Sequence, residues 1–521
     1  MPPPVPRPPS PGGARLLLGS VLIVATCGLI YELLSATMAS YLLGDSITQF
    51  SLVIGVYLSA MGLGSYLSKG VKRDLYDRFI AVQLVVAVVG GLSAIALFFG
   101  YAWLSSVRPL LFGILIVVGT MVGLEIPLLI RILKDSGELG DLVARVLAFD
   151  YLGALAASVL FPLALLPTLG LSRTGLLFGG LNALVATACA FAFRDQLRRP
   201  RALQSTSLAI AAALGLGLAL GGRLERIAEE ELFDAPLVRS EKSAYQRLSI
   251  TREGDDVRLY IDGNLQFSSL DEHRYHEALV HPALSEAEAP ARVLVLGGGD
   301  GLALREILKH PSVEAIDLVD LDPKMTGLFT DDPLLRELNE GSLADPRVTI
   351  HNADAMRWLE AHVRGGGAAY DAVLVDLPDP NNFSLGKLYS GPFYRLVGRA
   401  LRPGGSGVIQ ATSPLLSPRA FWCVVTTLAD AGLHPRPYHA HVPTFGDWGF
   451  VMIAHEDRPP PTTLAPVALR YLDEATLAAL FVFPRDQRPA EVEPNRLSDQ
   501  LLVHYYEEDL RSIEQGRRRA R

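Results

Sequence analysis

The sequence is poor in cysteine and in charge. Its 521 residues include three cysteines, Cys27, Cys189 and Cys423, which lie far apart and form no CxxC pair. We therefore expect neither a disulfide framework nor a cysteine zinc site. Charged residues make up 20% of the chain and hydrophobic residues 50%, and the mean hydropathy is +0.28. That balance is unusual for a soluble globular protein and indicates membrane-embedded segments.

An excess of positive charge is missing as well. The 47 basic and 55 acidic residues give a formal net charge of -8. The chain therefore has no general electrostatic reason to bind nucleic acid, and we expect no such partner. A length of 521 residues is typical of two to four domains, which excludes a single small module.

Long apolar runs fill residues 16–222, after a segment at 1–15 that is rich in proline and glycine and is predicted to be disordered. Six runs are long enough to cross a ~30 Å hydrocarbon layer as helices, and most of them lack a polar stripe. They cover roughly 16–43, 49–68, 79–103, 109–133, 148–167 and 171–193. A seventh run, 207–222, is shorter, so the sequence predicts a bundle of six to seven helices in contact with the lipid bilayer.

Lysine and arginine are concentrated in the segment before the first run and in the loops after the second, fourth and sixth runs. Because positive loops stay in the cytoplasm, this pattern predicts a multi-pass protein of the cell (inner) membrane with a cytoplasmic amino terminus. A seventh crossing would place everything after Arg223 outside. The sequence therefore leaves open which side the rest of the chain faces.

Three acidic residues, Glu32, Glu125 and Asp150, lie within the apolar runs or at the start of one. Intramembrane acids are costly and usually face the interior of a bundle or water. They suit either a path for cations or hydrogen bonding between helices. Both interpretations stay open at this point.

The composition becomes typical of a soluble protein after about residue 223. Residues 235–290 alternate like β-hairpins, with turns at Gly254–Asp255 and Asp262–Gly263. From 291 to 456, apolar strands alternate with helical stretches, which indicates an α/β Rossmann-like (methyltransferase-like) domain. A helical extension covers 457–521. The expected fold is thus a multi-pass α-helical membrane bundle, then a small β-hairpin domain and an α/β domain.

A glycine loop opens the α/β part. The strand at 293–296 runs into GGGDG, residues 297–301, and then into a helix, so backbone N–H groups can approach a nucleotide closely. Asp320 ends the next strand, where an acid can bind ribose hydroxyls, and Asp354 follows the third strand, where it can meet an adenine edge. The glycines alone could form an ordinary tight turn. The ordered series indicates a pocket for an adenosine-type ligand, and the absence of GK[ST] excludes a P-loop.

Two further carboxylates follow the fourth strand, in VDLPDP. Asp376 and Asp379 are expected at the carboxyl edge of the sheet, where open α/β sheets bind ligands. With Asp300 of the glycine loop they place three acids around one crevice, which suits a polycation. The alternative for Asp379 is that it only caps a turn before Pro380.

These motifs together resemble those of the polyamine aminopropyltransferases, or spermidine synthases. The likeness rests on GGGDG, LVDLD, NADAM, VDLPDP, YQRL and LDEHRYHEALVHPAL, and it covers roughly 235–455. It extends to the whole chain for the membrane-embedded members. The resemblance implies transfer of the aminopropyl group of decarboxylated S-adenosylmethionine to a diamine such as putrescine, which gives spermidine and methylthioadenosine. It implies no cofactor beyond this co-substrate and no metal. The family is often dimeric, which leaves a homodimer as one of the open oligomeric states.

The resemblance also implies residue roles. Nucleoside contacts fall on Gln246, Gly297, Gly299, Asp320, Asp354 and Ala355. The polyamine channel is implied to be lined by Tyr275, His276 and Asp300, with Gln266 close by. Asp376 is the implied general base, and Asp379 is the implied anchor of the amine.

The chain departs from the family pattern at two places. Phe445 stands where the usual members have a tyrosine, and either amine recognition differs or Phe445 and Trp448 only pack. The segment PNNFSLGKLYS after Asp379 lacks the usual glycine–proline pair. The acceptor therefore stays open, as do the oligomeric state and transport by the bundle. The alternative functions are an S-adenosylmethionine-dependent methyltransferase and a non-catalytic membrane polyamine sensor or transporter.

Overall fold

A computed structural model describes residues 10–43, 46–104, 106–134, 138–230, 233–287 and 289–520. The chain divides into two units, Met1–Asp234 and Ala235–Arg521. The predicted disorder over 1–15 falls mostly outside the described residues. From Pro11 onward the chain is already helical, so that prediction is wrong for residues 11–15.

The first unit consists of helices that follow the predicted apolar runs. In its described part they are α1 (Pro11–Leu43), α2 (Ser46–Leu67), α3 (Leu75–Trp103), α4 (Arg108–Leu133), α5 (Leu139–Leu160), α6 (Leu166–Ala192) and α7 (Pro200–Glu230). Helices satisfy every backbone polar group internally, which is what an apolar surrounding demands. The short seventh run lies inside α7, which is helical well beyond both of its predicted ends.

The stretch from Leu139 to Ala192 is 54 residues long. At 1.5 Å per residue it would measure ~80 Å as one helix, more than twice the ~30 Å of a hydrocarbon layer. A π-helical turn at Phe161–Leu165 separates α5 from α6, and the non-helical Gly170 (φ 74°, ψ -176°) interrupts α6 near its start. Six stretches of the described chain are long and apolar enough to cross a membrane, and this one is long enough to cross twice.

Three loops that carry the positive charge meet at one end of the bundle. Arg131, at the end of α4, donates to the carbonyl oxygens of Ser68 and Val71 after α2, at 2.6 and 2.9 Å. Arg198, after α6, forms an ion pair with Asp74 at 2.8 Å. The loops that the charge pattern assigns to one side are therefore in contact with one another.

The intramembrane acid Glu125 is paired with a neighbouring helix. It is 2% exposed, and its Oε1 accepts a hydrogen bond from Nε2 of Gln83 at 2.9 Å, which joins α4 to α3. A cavity of about 300 Å³ beside it is lined by Glu125, Asp150 and Ser65 among mostly apolar side chains. The hydrogen bond supports the interpretation that this acid links helices, and the cation path stays a prediction.

The second unit begins with a four-stranded antiparallel sheet in the order β1-β2-β3-β4. The strands are β1 (Leu237–Lys242), β2 (Arg247–Glu253), β3 (Asp256–Ile261) and β4 (Asn264–Ser268). Two-residue turns at Gly254–Asp255 and Asp262–Gly263 join β2 to β3 and β3 to β4, as the sequence predicts. Asp262 and Gly263 both have positive φ, 49° and 81°, which suits the twist of a tight hairpin.

A seven-stranded sheet in the order β10-β11-β9-β8-β5-β6-β7 follows. Its strands are β5 (Arg292–Gly297), β6 (Ala315–Asp320), β7 (Val348–Asn352), β8 (Tyr370–Asp376), β9 (Leu401–Gln410), β10 (His434–Val442) and β11 (Gly446–Ala454). Strands β5 to β9 pair in parallel, and β11 pairs antiparallel with β9 and β10. The strand order reverses between β5 and β8, and open α/β sheets bind ligands at such a point.

Helices cover both faces of this sheet. They are α8 (Glu272–Glu286), α9 (Leu302–Ile307), α10 (Pro323–Asp331), α11 (Pro333–Leu338), α12 (Ala355–Arg364), α13 (Phe383–Gly386), α14 (Gly391–Ala400), α15 (Pro418–Asp430), α16 (Glu474–Leu480) and α17 (Leu501–Ala520). Alternate residues of β5 point to opposite cores: Val293 and Val295 to one, Leu294 and Leu296 to the other. Burial on both faces explains why this strand is a continuous apolar run. The expected α-helical, β-hairpin and Rossmann-like order is confirmed.

Candidate active site

The glycine loop and the fourth predicted strand meet at the switch point of the sheet. Gly297 ends β5 and pairs with Asp376, which ends β8. Gly297 has φ +84°, and a Cβ built there would lie 2.0 Å from the carbonyl oxygen of Asp376. Only glycine fits this approach. The loop that is expected to hold the donor is therefore in direct backbone contact with the expected base.

Asp320 lies beside the same loop. Its Oδ2 accepts the N–H of Gly299 at 3.1 Å, and its Oδ1 accepts the N–H of Asp322 at 2.8 Å. Burial raises the pKa of Asp320 to about 6, although these two hydrogen bonds lower it. The structure thus brings the predicted ribose acid to the glycine loop, at the end of the adjacent strand.

Asp354 caps α12 and is tied to a distant lysine. Its carboxylate accepts the N–H of Arg357 at 3.1 Å and a hydrogen bond from Nζ of Lys387 at 2.6 Å. Burial would raise the pKa of Asp354, but Lys387 and the cap lower it. Ala355 is the first residue of α12 and is buried. Their contact with adenine stays a prediction, and the observed role of Asp354 is a helix cap that also binds Lys387.

Two acids, the buried Asp300 and the half-buried Asp376, interact electrostatically with each other and with His276. Asp300 is 8% exposed and accepts the N–H of Leu302 at 2.9 Å. Burial raises the pKa of Asp300 to about 6, and His276 opposes the rise. Burial also raises the pKa of Asp376, while the charge of His276 and a hydrogen bond from Tyr275 lower it. The Tyr275 hydroxyl donates to Oδ1 of Asp376 at 2.6 Å. The implied channel residues Tyr275 and His276 do reach these acids.

The charge of His276 depends on Glu272, one helical turn earlier in α8. Nδ1 of His276 lies 2.8 Å from Oε2 of Glu272, and Arg305 holds the same oxygen at 2.9 Å. Burial would lower the pKa of His276, but Glu272 outweighs it and raises the pKa to about 9. His276 is therefore cationic at neutral pH and helps to keep the neighbouring acids ionised.

Asp379 is held only by neutral donors in the contacts that the structure describes. Its Oδ2 accepts the hydroxyls of Tyr506 at 2.9 Å and Thr412 at 3.3 Å, and its Oδ1 accepts Nε2 of Gln410 at 3.4 Å. Burial raises the pKa of Asp379 to about 6, against these three donors. In the turn that follows, the backbone carbonyl of Asp379, not its carboxylate, accepts the N–H of Asn381. A half-buried carboxylate that has only neutral donors as described partners suits a cationic ligand.

Two glutamines that the resemblance implies are not joined to these acids by any described hydrogen bond. Gln246 lies between β1 and β2, and its N–H donates to Oγ of Ser243 at 3.0 Å. The side-chain amide of Gln266 donates to the carbonyl oxygens of Asn264 and Leu265, within its own strand. Their contacts with substrate stay predictions.

Phe445 packs against Trp448, with ring centroids 5.0 Å apart. Nε1 of Trp448 donates to Oε1 of Gln410 at 3.3 Å, and Gln410 in turn binds Asp379. The structure therefore supports packing for Phe445, while Trp448 supports the amide that holds Asp379.

Four residues of the site were not identified from the sequence: Glu272, Gln410, Thr412 and Tyr506. Glu272 could have been found, because it stands four residues before His276 on one helix face. Tyr506 lies 127 residues from Asp379 in the chain, and no local pattern connects them. In the described residues, no group of three histidine, cysteine or acidic side chains is arranged to hold a metal ion.

The chain is similar in sequence to known proteins over most of its length. The Spermine/spermidine synthase domain family matches residues 272–464. The chain is 51% identical over 517 residues to polyamine aminopropyltransferase 1 of Ralstonia nicotianae, covering 98% of this chain and 97% of that protein. It is 44% identical over 497 residues to the polyamine aminopropyltransferase of Leptospira interrogans, covering 95% and 98%. A crystal structure of spermidine synthase in complex with the transition state analogue AdoDATO covers 48% of this chain and 85% of its own, at 27% identity and a TM-score of 0.43. The likeness to the two relatives extends over nearly the whole of each chain, and the protein therefore belongs to the polyamine aminopropyltransferase family.

Proposed function

We propose that Asp376 and Asp379 divide the work of aminopropyl transfer, with Asp376 as general base and Asp379 as the anchor of the acceptor's distal ammonium. Polyamine aminopropyltransferases consume decarboxylated S-adenosylmethionine as a substrate and need no resident metal or other cofactor. The observation that carries the proposal is the position of Asp376, at the switch point and in register with Gly297 of the glycine loop.

The reaction is an in-line displacement at the carbon beside a sulfonium. The amine nitrogen forms the new C–N bond, the C–S bond breaks, and its electron pair stays on sulfur, which releases methylthioadenosine. Free alkylamines have a pKa near ~10 and are protonated at neutral pH. Asp376 takes the proton as attack begins, an effect worth roughly 10²–10⁴-fold. Asp379 fixes the far end of the diamine and so sets the line of attack.

Asp300 supports selection of the donor. The decarboxylated donor ends in an ammonium without a carboxylate, which a buried acid attracts. Ordinary S-adenosylmethionine would bring a second carboxylate to the same place and be repelled. These charges speak against the methyltransferase alternative. Putrescine is the proposed acceptor by resemblance, and spermidine is then the product.

The test incubates the purified full chain with decarboxylated S-adenosylmethionine and a panel of diamines, and measures methylthioadenosine. We expect Asp376→Asn to lose ~10²–10⁴-fold in rate, while Asp457→Asn, which changes an exposed acid, keeps the rate. Methylated product and S-adenosylhomocysteine alone would establish the methyltransferase instead. A sensor or transporter would form no methylthioadenosine and would keep its transport in Asp376→Asn.

We also propose that the first unit spans the inner membrane with its amino terminus in the cytoplasm. The contact among the positive loops and the charge pattern support this orientation. Seven crossings are supported by the six long apolar stretches, because Leu139–Ala192 is long enough to cross twice. The last of the six is Pro200–Leu220, the apolar part of α7. Seven crossings would place the catalytic unit outside, although the donor is made in the cytosol. A reporter fused after residue 240 decides the side, and the mass of the detergent-solubilised protein tests the homodimer that the family resemblance implies.

A further inference from the structure

The carboxyl-terminal helix α17 reaches the acid that the proposed function assigns to the acceptor. The Tyr506 hydroxyl donates to Oδ2 of Asp379 at 2.9 Å, which is the shortest of the three hydrogen bonds to this carboxylate. Residue 506 lies outside the family domain, which ends at residue 464. The contact therefore joins the site to a part of the chain that the shared domain does not contain.

Several contacts hold α17 and the segment before it against the catalytic core. Nε of Arg419 in α15 forms an ion pair with Asp509 at 2.9 Å. The Asn495 side chain donates to the carbonyl oxygens of Gly386 and Tyr389, at 3.0 and 3.1 Å. The position of Tyr506 is thus fixed by several independent contacts.

The loop after Asp379 packs tightly against this carboxyl-terminal segment. A Cβ built at Gly386 would lie 2.6 Å from Oε1 of Gln500 and 2.7 Å from Cγ2 of Val503. The ring of Phe383 contacts His504, with centroids 5.7 Å apart. Because this loop leads directly away from Asp379, a shift of α17 would also shift the loop.

A hydroxyl that donates to a carboxylate favours the ionised form and fixes its rotamer. Phe445 has no hydroxyl and packs on Trp448, so it supplies no such donor. The other titratable groups near Asp379 are Asp376 of β8, Tyr275 of α8 and Tyr389, whose hydroxyl donates to the carbonyl oxygens of Leu377 and Pro378. Tyr506 is therefore the titratable side chain that binds Asp379 directly in the described structure.

We propose that Tyr506 is a positioning residue of the acceptor site, which holds the Asp379 carboxylate in place to receive the distal ammonium of the diamine. This inference rests on the proposed role of Asp379. It makes α17 a part of the amine pocket and leaves the donor pocket, at the glycine loop, independent of this helix.

The test compares the full chain with Tyr506→Phe, which removes one hydroxyl and keeps the ring. We expect the KM for the diamine to rise about tenfold, the size of one hydrogen bond to a charged group. The KM for decarboxylated S-adenosylmethionine should stay unchanged. Loss of the Tyr506 hydroxyl removes a hydrogen bond that favours the ionised carboxylate, so the pKa of Asp379 should rise. The acid limb of kcat/KM for the diamine should then move to higher pH. A matched control is Tyr505→Phe, because the described contact of the Tyr505 ring is with Arg419 and the three described hydrogen bonds to Asp379 come from other residues.

Two further measurements keep the outcomes separate. Unfolding temperatures of Tyr506→Phe and Tyr505→Phe that both equal that of the wild-type chain would show that the fold is intact. In one outcome, Asp379→Asn raises the KM for the diamine, but Tyr506→Phe changes neither this KM nor the acid limb of kcat/KM. This outcome refutes the role of Tyr506 and leaves the role of Asp379 standing. If Asp379→Asn leaves that KM unchanged, the anchor itself is refuted. Equal changes in the two KM values of Tyr506→Phe would also overturn the inference.

Discussion

The hydroxyl of Tyr275 donates a hydrogen bond to the carboxylate of Asp376, with Oη and Oδ1 2.6 Å apart. Tyr275 belongs to α8, and Asp376 lies at the end of β8. A helix outside the parallel strands therefore favours the ionised form of the proposed base. Tyr275 itself is fixed by Phe450, at a ring-centroid distance of 5.1 Å. A base in this setting is oriented before the amine arrives.

Tyr275→Phe should lower the rate and shift its pH dependence. The hydrogen bond favours the ionised Asp376, so its loss raises the pKa of Asp376 further. The acid limb of kcat should move to higher pH, with a loss of about tenfold at pH 7. The measurement is methylthioadenosine formation between pH 5 and 9, with Tyr505→Phe as the matched control. An unchanged pH profile would show that Tyr275 does not act through Asp376.

The stability of the catalytic unit should fall at alkaline pH because of His276. Its pKa in the folded chain is about 9, above the ordinary 6.5, so the stabilisation is full below pH 6.5 and is lost as the pH rises through about 9. That difference corresponds to about 3 kcal/mol. The unfolding temperature of the purified chain should drop over this range.

The matched variant for this prediction is Glu272→Gln, which removes the charge that keeps His276 protonated. It should be less stable than the wild type at pH 7 and should lose most of the dependence between pH 6.5 and 9. His276→Gln should flatten the same range. If the unfolding temperature fell equally with pH in the wild type and in both variants, His276 would not be the cause of the pH dependence.

Asp379→Asn should make the ligand-free protein more stable at pH 8. The folded pKa of Asp379 is about 6, above the ordinary 3.8, so its ionisation costs stability at a pH above this range. We expect the free energy of unfolding to rise by about 1–3 kcal/mol at pH 8. The difference should disappear below pH 4, where Asp379 is neutral in both the folded and the unfolded chain. Chemical denaturation at pH 8 and pH 4 measures it. A variant that is less stable at pH 8 would refute the proposed cost.

Asp300→Asn should reduce discrimination between the two forms of the donor. Binding of decarboxylated S-adenosylmethionine should weaken about tenfold, because an opposite charge is lost in a buried site. Binding of S-adenosylmethionine should weaken less or improve, since a repulsion is lost. Calorimetry with both nucleosides measures the ratio. Asp320→Asn is the matched control, because ribose is common to both donors and both should weaken alike; a parallel change in Asp300→Asn would count against its role in selection.

The strands and their terminal acids could be predicted because each signal is local. A continuous apolar run such as 293–296 specifies a strand buried on both faces, and the glycine or acid after it marks the edge of the sheet. Asp300, Asp320, Asp376 and Asp379 were all found in this way. The structure then brings them to neighbouring strand ends, as parallel pairing requires.

The partners of these acids could not be predicted, because they come from distant parts of the chain. Tyr506 of α17 lies 127 residues from Asp379 in the chain. Lys387, in a short 3-10 turn after α13, lies 33 residues from Asp354. Asp354 shows the opposite difficulty: an acid before a helix is equally typical of a cap and of a ligand contact.

The backbone contact between Gly297 and Asp376 joins the glycine loop and the proposed base into one wall of the crevice. Any side chain at position 297 would push the base away from the nucleoside loop, so neither half can drift without the other. A substitution at Gly297 is therefore expected to disturb the glycine loop and the proposed base together.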